Sequence, residues 1–177
     1  VIMAAFAAAV KIDSFAYMPV QDFGNAFSTF IAQNYGAKKE DRIRKGMKSA
    51  FLCAFFFCLI ISLLVCVFAK PLMQIFVSAG ETEIIAAGVH YLHIEGSFYF
   101  GIGLLFLLYG LYRAIARPGM SVVLTVISLG TRVALAYILS AVPWIGVTGI
   151  WMSVPIGWVL ADLTGVLYYI HISRKRN

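Results

Sequence analysis

The chain has 177 residues, of which 62% are hydrophobic and 12% are charged, and its mean hydropathy is +0.89. A typical soluble domain is about half apolar and about a quarter charged, so this composition excludes a water-soluble globular protein. The net charge is +6, but the basic residues stand in short clusters between apolar runs. This arrangement indicates membrane topology and argues against nucleic-acid binding.

The chain starts with a short apolar stretch. Its first ten residues are apolar, and as a helix they would extend about 15 Å, which is half the thickness of a bilayer core. No basic stretch precedes them, as it would in a signal peptide. We therefore expect residues 1–12 to be the tail of a preceding helix and the chain to be part of a longer protein.

Five longer apolar runs follow, and each is long enough to cross a bilayer as a helix. They predict an all-α, polytopic bundle in one membrane domain, with spans at about 14–35, 47–69, 86–112, 120–141 and 147–171. Lysine and arginine are concentrated in the first connection, in the third connection and at the C-terminus. Because basic loops stay in the cytoplasm, we expect a multi-pass plasma-membrane protein whose C-terminus is cytoplasmic.

Several side chains within the predicted spans fall on shared helix faces when residues are placed 100° apart. The four faces are Asp22, Asn25, Thr29 and Gln33; Tyr91, Glu95, Phe98 and Tyr99; Ser121, Thr125, Ser128 and Arg132; and Trp151, Pro155, Trp158 and Asp162. A charged group at membrane depth costs about 2.5–3.5 kcal/mol on insertion scales, so such groups normally face the bundle interior or an aqueous cavity.

The charged members of these faces, together with Asn25, Tyr99 and Trp158, are candidates for binding a substrate or a coupling ion. Asp22 and Glu95 are acids in the middle or outer half of the membrane, and Arg132 either shares their function or pairs with one of them structurally. Asp162 either binds a ligand or pairs with a cation of a cytoplasmic loop. Trp158 offers an aromatic face to an organic cation, or it packs in the core.

Signs of a metal centre or of an enzyme are lacking. His90 and His93 precede Glu95, but this spacing is not the HExxH arrangement of zinc enzymes. Cys53, Cys58 and Cys66 match no zinc pattern. The sequence also has no nucleophile and base pair, phosphate loop or cofactor motif. We therefore expect no metal site, no cofactor and no catalytic activity.

The end of the first predicted span carries a family signature. Its residues are Gln33, Asn34, Gly36, Ala37 and Arg42, and they resemble the GQNxGAxxxxR motif of the multidrug and toxic compound extrusion transporters. Residues 70–76 resemble the P-L-x-x-x-F pattern of the same family. The chain departs from the family at Ala32, where glycine is usual, and at residues 78–79, where an acid is often found.

This resemblance implies that the chain is the C-terminal half of a twelve-helix transporter, with residues 1–12 ending helix seven and five spans forming helices eight to twelve. It further implies export of small organic, often cationic, compounds in exchange for Na⁺ or H⁺, by rocking of this half against a missing N-terminal half within membrane lipid. In some members, acids of the tenth helix bind the coupling cation, and Glu95 lies in that helix. A flippase for lipid-linked saccharides of the same superfamily and a structural or accessory membrane subunit are the alternatives.

Overall fold

The computed structural model describes residues 1–175, and this part of the chain forms seven α-helices. They are α1 (Ile2–Gly36), α2 (Glu40–Val67), α3 (Ala69–Phe76), α4 (Thr82–Gly96), α5 (Tyr99–Ala114), α6 (Pro118–Ser140) and α7 (Gly146–Arg174). Four of these helices are long and apolar enough to cross a membrane, and α4 and α5 meet the same criteria of length and composition when they are counted together as one bent span. The predicted all-α bundle of five spans is confirmed.

Helix α1 corrects the predicted N-terminal boundary. A separate tail at 1–12 and a span at 14–35 are wrong, because α1 is one continuous helix of 35 residues. The polar residues at the expected boundary fit within the helix: Ser14 Oγ donates to the Val10 carbonyl at 2.8 Å, and Asp13 is buried. The first residues therefore belong to the same helix as the first span.

The signature residues at the end of α1 form a tight turn into α2. The backbone N–H of Ala37 donates to the Gln33 carbonyl at 3.1 Å, and that of Lys39 donates to the Asn34 carbonyl at 2.9 Å. Gly36 is the last residue of α1, and Arg42 lies in the first turn of α2. The motif thus closes the helix, as the resemblance implies.

Two other predicted boundaries change. Helix α2 begins at Glu40, ahead of the predicted start at residue 47, because Glu40 and Asp41 in its first turn favour the positive end of the helix dipole. The short helix α3 follows α2 directly and was not predicted. It packs on α4 and has Lys70 and Pro71 in its first turn.

The third predicted span, 86–112, is broken. Helices α4 and α5 meet at Ser97 and Phe98 with a bend of 51°. Ser97 Oγ donates to the His93 carbonyl at 2.5 Å, and the Phe98 N–H donates to the Glu95 carbonyl at 3.0 Å. Phe98 is therefore exposed and leaves the face that it was predicted to share with Glu95.

The helices pack as a bundle in which α1 lies against α5 and α4, while α6 lies mainly against α7. Helices α1 and α5 cross at Gly24 and Gly110, where a Cβ atom on Gly110 would stand 2.7 Å from the Gly24 carbonyl oxygen. Ser28 Oγ also donates to the Gly110 carbonyl at 2.9 Å. The absence of side chains at these two glycines lets the helices approach closely.

Candidate functional site

Two carboxylic acids are buried together between α1 and the broken α4 and α5 pair. Asp13 of α1 is 4% exposed and Glu95 of α4 is 2% exposed, and the two are within Coulombic range of each other. The Tyr99 hydroxyl donates a hydrogen bond to Asp13 Oδ1, and Tyr91 also interacts with the Asp13 carboxyl group. We call Asp13, Tyr91, Glu95 and Tyr99 the acid cluster.

The acid cluster lies at the break in the third span. Tyr91 and Glu95 are four residues apart on α4 and therefore share one helix face. Glu95 is the second-last residue of α4, and Tyr99 is the first residue of α5. Tyr99 follows Glu95 by four residues across the bend, and its hydroxyl donates to Asp13 of α1, so all four side chains converge on one place.

Part of the cluster lacks a hydrogen-bond partner. Within residues 1–175, Glu95 Oε1 is buried and accepts no hydrogen bond. A buried carboxylate without a partner is strongly unfavourable, and a proton or a small cation would remove this cost. In transporters with broken spans, the C-terminal ends of half-helices commonly coordinate Na⁺ or H⁺, and Glu95 has this position. The cluster can therefore bind a small cation through oxygen atoms.

Aromatic rings surround the cluster. Trp151 of α7 and Phe6 of α1 each make an edge-to-face contact with Tyr91, and in both cases the ring centroids are 5.5 Å apart. These contacts fix the orientation of the Tyr91 ring and surround the acids with apolar atoms. A low-polarity environment strengthens the attraction between the carboxylates and a cation.

The two histidines near Glu95 have partners within the bundle. His90 Nε2 is 3.0 Å from Thr148 Oγ1 of α7, and His93 Nε2 is 2.9 Å from the Cys66 carbonyl oxygen of α2. They join α4 to its neighbouring helices. Across the described part of the chain, no group of three or more His, Cys, Asp and Glu side chains could hold a metal ion.

Arg132 does not have its predicted position. The prediction of a buried cation is wrong, because Arg132 is exposed. Helix α6 packs mainly on α7 and buries Leu124 and Ser128, and Arg132, one turn after Ser128 on the same face, lies beyond these buried residues. Arg132 is within Coulombic range of Glu95 and Tyr91, so its positive charge reaches the acid cluster from outside.

Asp22 and Asn25 also lie apart from the acid cluster. Both are exposed on α1, as are Thr29 and Gln33, so the predicted polar face exists. Part of this face borders a groove of about 450 Å³ between α1, α5 and α6. Six polar residues line it, and we call it the polar groove: Gln21, Asn25, Tyr109, Arg113, Ser121 and Thr125. Arg113 Nη2 donates to Asn25 Oδ1 at 3.1 Å.

Asp162 and Trp158 are buried on α7, as their shared face predicts. Trp158 packs in the apolar core with Leu105 and Leu108. Asp162 is 6% exposed, and its Oδ1 accepts no hydrogen bond from any residue in the described range 1–175. It therefore lies apart from the loop cations with which it was alternatively expected to pair.

The sequence analysis missed Asp13, which lies at the centre of the candidate site. Lys11, Asp13 and Ser14 lower the local hydropathy, and this interruption was interpreted as the end of a helix. A helical signal was nevertheless present. On each side of Asp13, buried positions of α1 recur at intervals of three and four residues: Ala5, Ala9 and Ile12 before it, and Val20, Gly24, Phe27 and Ile31 after it.

Comparison with known proteins places the chain in a family. The MatE family model matches residues 1–138. The chain is 28% identical over 169 residues to the "Probable multidrug resistance protein YpnP" of Bacillus subtilis (strain 168), and the match covers 95% of this chain and 37% of that protein.

Solved structures show the same fold. An outward-facing multidrug resistance MATE family transporter of the MOP superfamily has a TM-score of 0.89 and 21% identity, with 98% of this chain and 39% of that chain covered. The MATE transporter ClbM in complex with Rb⁺ has a TM-score of 0.84 and 25% identity, with 92% and 38% covered. The chain thus spans about two fifths of the length of these proteins. Because the family model matches more than half of its residues, the chain belongs to the MatE family of transporters.

Proposed function

We propose that the chain forms one lobe of a transporter that exports small organic, often cationic, compounds in exchange for Na⁺ or H⁺. The second lobe is the half that this chain lacks relative to its family, and the two lobes rock against each other in the plasma membrane. The observation that carries the proposal is the acid cluster, in which Asp13 and Glu95 lie buried beside a broken membrane span.

The acid cluster supports the coupling step because it suits a small cation. Two carboxyl groups and two phenol hydroxyl groups supply oxygen atoms, which hard cations prefer. Glu95 Oε1 has no hydrogen-bond partner among residues 1–175, so a bound ion would gain a ligand that the protein leaves free. ClbM, a relative of the same fold, is described in complex with Rb⁺. We propose that Asp13 and Glu95 hold the coupling cation.

The location of the cluster supports a link between ion binding and shape. Asp13 belongs to α1, whereas Glu95 and Tyr99 lie on either side of the break between α4 and α5. A cation held by both acids would draw α1 and the break together, and its release would leave two carboxylates that repel each other. A ligand shifts a conformational equilibrium by its difference in affinity for the two states. Here the two states differ in the distance between α1 and the break, so a cation that needs both acids would bind the close state more tightly.

We propose that the exposed polar face of α1 contacts the exported compound. Asp22 and Asn25 are exposed within a membrane span, and such groups normally face an aqueous cavity. The Asp22 carboxylate would attract an organic cation, and the neighbouring polar groove would supply hydrogen-bonding groups. On this proposal, Asp22 acts on the substrate and the acid cluster acts on the coupling ion.

The proposed function is tested by producing the complete gene product in a bacterial host that lacks its own multidrug pumps. We expect lower accumulation of a fluorescent cationic dye, and we expect this effect to disappear with an ionophore that collapses the coupling gradient. A sodium ionophore and a protonophore, used separately, distinguish Na⁺ from H⁺ coupling. Dye efflux that continues with both gradients collapsed, or no efflux from a protein that is inserted normally, would contradict the proposal.

A further inference from the structure

We propose that Asp162 of α7 is a second proton-binding site, separate from the acid cluster, and that its proton exchanges with the polar groove through Tyr109. The inference rests on the proposed function, since it adds a second proton site to the same transport cycle. It concerns a helix, α7, that supplies no carboxyl group to the proposed ion site.

The first argument is the surroundings of Asp162. The side chain is 6% exposed, and Oδ1 accepts no hydrogen bond from residues 1–175. Its other oxygen, Oδ2, is 3.8 Å from the position that a Cβ atom on Gly101 of α5 would take. Trp158 and Ala161 beside it belong to the apolar core. An ionised carboxylate is very unfavourable in such surroundings within a membrane, so this group holds a proton.

The second argument distinguishes a proton from a metal cation. A proton binds to one oxygen atom, whereas a hard metal ion requires several oxygen ligands. Asp162 is a single carboxyl group, unlike the paired acids of the acid cluster. Helix α6 packs on α7, and its buried residues, Leu124 and Ser128, carry no charge that could serve as a further ligand.

Titratable and charged groups on the neighbouring helices lie at defined positions relative to Asp162. Tyr109 of α5 is within its Coulombic range. Tyr112 donates to the Gly165 carbonyl, Arg117 donates to the Tyr168 hydroxyl at 2.7 Å, and His90 bonds Thr148 at 3.0 Å. Tyr91 makes an edge-to-face contact with Trp151, and Tyr35, Glu40 and Arg44 line a pocket with Tyr169 and Ile172 towards the C-terminal end of α7. Each of these groups contacts residues of α7 other than Asp162.

The third argument is a route for exchange. Tyr109 lines the polar groove, and Thr125 Oγ1 donates a hydrogen bond to its hydroxyl at 3.3 Å. Side chains on a helix point back towards its N-terminus, so the Tyr109 ring extends along α5 in the direction of Gly101, where Asp162 lies. The Tyr109 hydroxyl thus belongs to a side chain that lines the groove and is within Coulombic range of the buried carboxyl group, and hydroxyl groups can both accept and donate a proton.

The first turn of α5 connects this site to the acid cluster. Tyr99 bonds Asp13 on one side of the turn, and Gly101 contacts Asp162 on another side, about 200° around the helix. A change at either carboxyl group therefore acts on the same turn, directly after the break. We infer that loss of the Asp162 proton alters how α5 packs on α7.

The proposal is tested by infrared spectroscopy of the purified complete gene product, which detects the carbonyl stretch of protonated carboxyl groups. At neutral pH, Asp162→Asn should remove one band, whereas Asp13→Asn should retain this band but shift its frequency through the shared turn. Asp162→Glu, which keeps a carboxyl group, should move the band without removing it, and it serves if the asparagine variant does not fold. On transfer to D₂O, Tyr109→Phe should slow the deuterium shift of the band several-fold, and Tyr137→Phe, at an exposed tyrosine of α6, should not.

Three results would overturn the inference. The first is a spectrum that Asp162→Asn and Asp162→Glu leave unchanged, since the carboxyl group would then be ionised. The second is a band whose position does not respond to Asp13→Asn, and the third is an exchange rate that Tyr109→Phe does not alter. The proposed function fails independently of these results, because its failure appears as dye efflux that needs no ion gradient.

Discussion

The crossing of α1 and α5 should fail when a single methyl group is added at Gly110. A Cβ atom there would stand 2.7 Å from the Gly24 carbonyl oxygen and 3.3 Å from Ser28 Cβ. Ordinary contacts begin at 3.4 Å, so Gly110→Ala requires the two backbones to separate by about 0.7 Å. Because α1 carries Asp13 and α5 carries Tyr99, this separation also loosens the acid cluster.

The cost follows from the packing. Overpacking of a close contact costs about 1–3 kcal/mol, while replacing glycine by alanine inside a helix returns about 0.5–1 kcal/mol. The matched control is Gly130→Ala on α6, where an added Cβ meets nothing within 4 Å. It reports the helix effect alone.

We therefore expect Gly110→Ala to be less stable than Gly130→Ala by about 1–3 kcal/mol. The free energy of unfolding of the purified protein can be measured by titration with a denaturing detergent. If the two variants unfold at the same detergent concentration, α1 and α5 do not cross as closely as the structure describes, and the geometry of the acid cluster loses its support.

Two further predictions concern the cluster and the topology. Tyr99→Phe removes the hydroxyl that donates to buried Asp13 and should lower the free energy of unfolding by about 1–3 kcal/mol. Tyr137→Phe, at a side chain that is 77% exposed, should leave the free energy of unfolding unchanged. Equal effects of the two variants in the same detergent titration would argue against the hydrogen bond. In a background without native cysteines, a cysteine introduced at Glu81 should react in intact cells with a membrane-impermeant thiol reagent. A cysteine at Lys39 should not react, because the basic first connection is expected in the cytoplasm. The reverse labelling pattern would show that the topology is inverted.

The number of spans and their approximate positions follow from the sequence, because a segment that crosses the hydrocarbon core of the bilayer must be apolar. Runs of apolar residues mark α2, α6 and α7 directly, and those helices lie where the hydropathy predicts. The faces of α1 and α7 are also predictable, since a period of 3.6 residues determines which side chains share a side. Buried Trp158 and Asp162 confirm the face of α7.

Which acid lies inside the bundle was harder to predict. Asp13 and Asp22 are nine residues apart on α1, which corresponds to about 180° around the helix, so the two must lie on opposite sides. Single-helix periodicity identifies the polar face but does not show which neighbouring helix covers it. The packing of α1 on α4 and α5 buries Asp13 and leaves Asp22 exposed.

The break in the third span has no simple sequence signal. Prolines are the usual cause of a break, but Pro19 and Pro155 both lie within continuous helices. The chain bends instead at Ser97 and Phe98, where the Ser97 hydroxyl bonds the backbone of α4. This bend depends on packing with other helices. The sequence therefore predicts that Tyr99 and Glu95 share a helix face, but it does not predict the bend between them.

The central claim is that Asp13 and Glu95 hold the coupling ion, and ion-driven transport in proteoliposomes tests it most directly. The complete gene product is reconstituted, and uptake of a cationic dye is driven by an imposed Na⁺ or pH gradient. We expect Asp13→Asn and Glu95→Gln each to abolish the response to the gradient while dye binding is retained. We expect Asp22→Asn, at the exposed acid of the same helix, to weaken dye binding and preserve the response. An unchanged gradient response in both Asp13→Asn and Glu95→Gln would contradict the account.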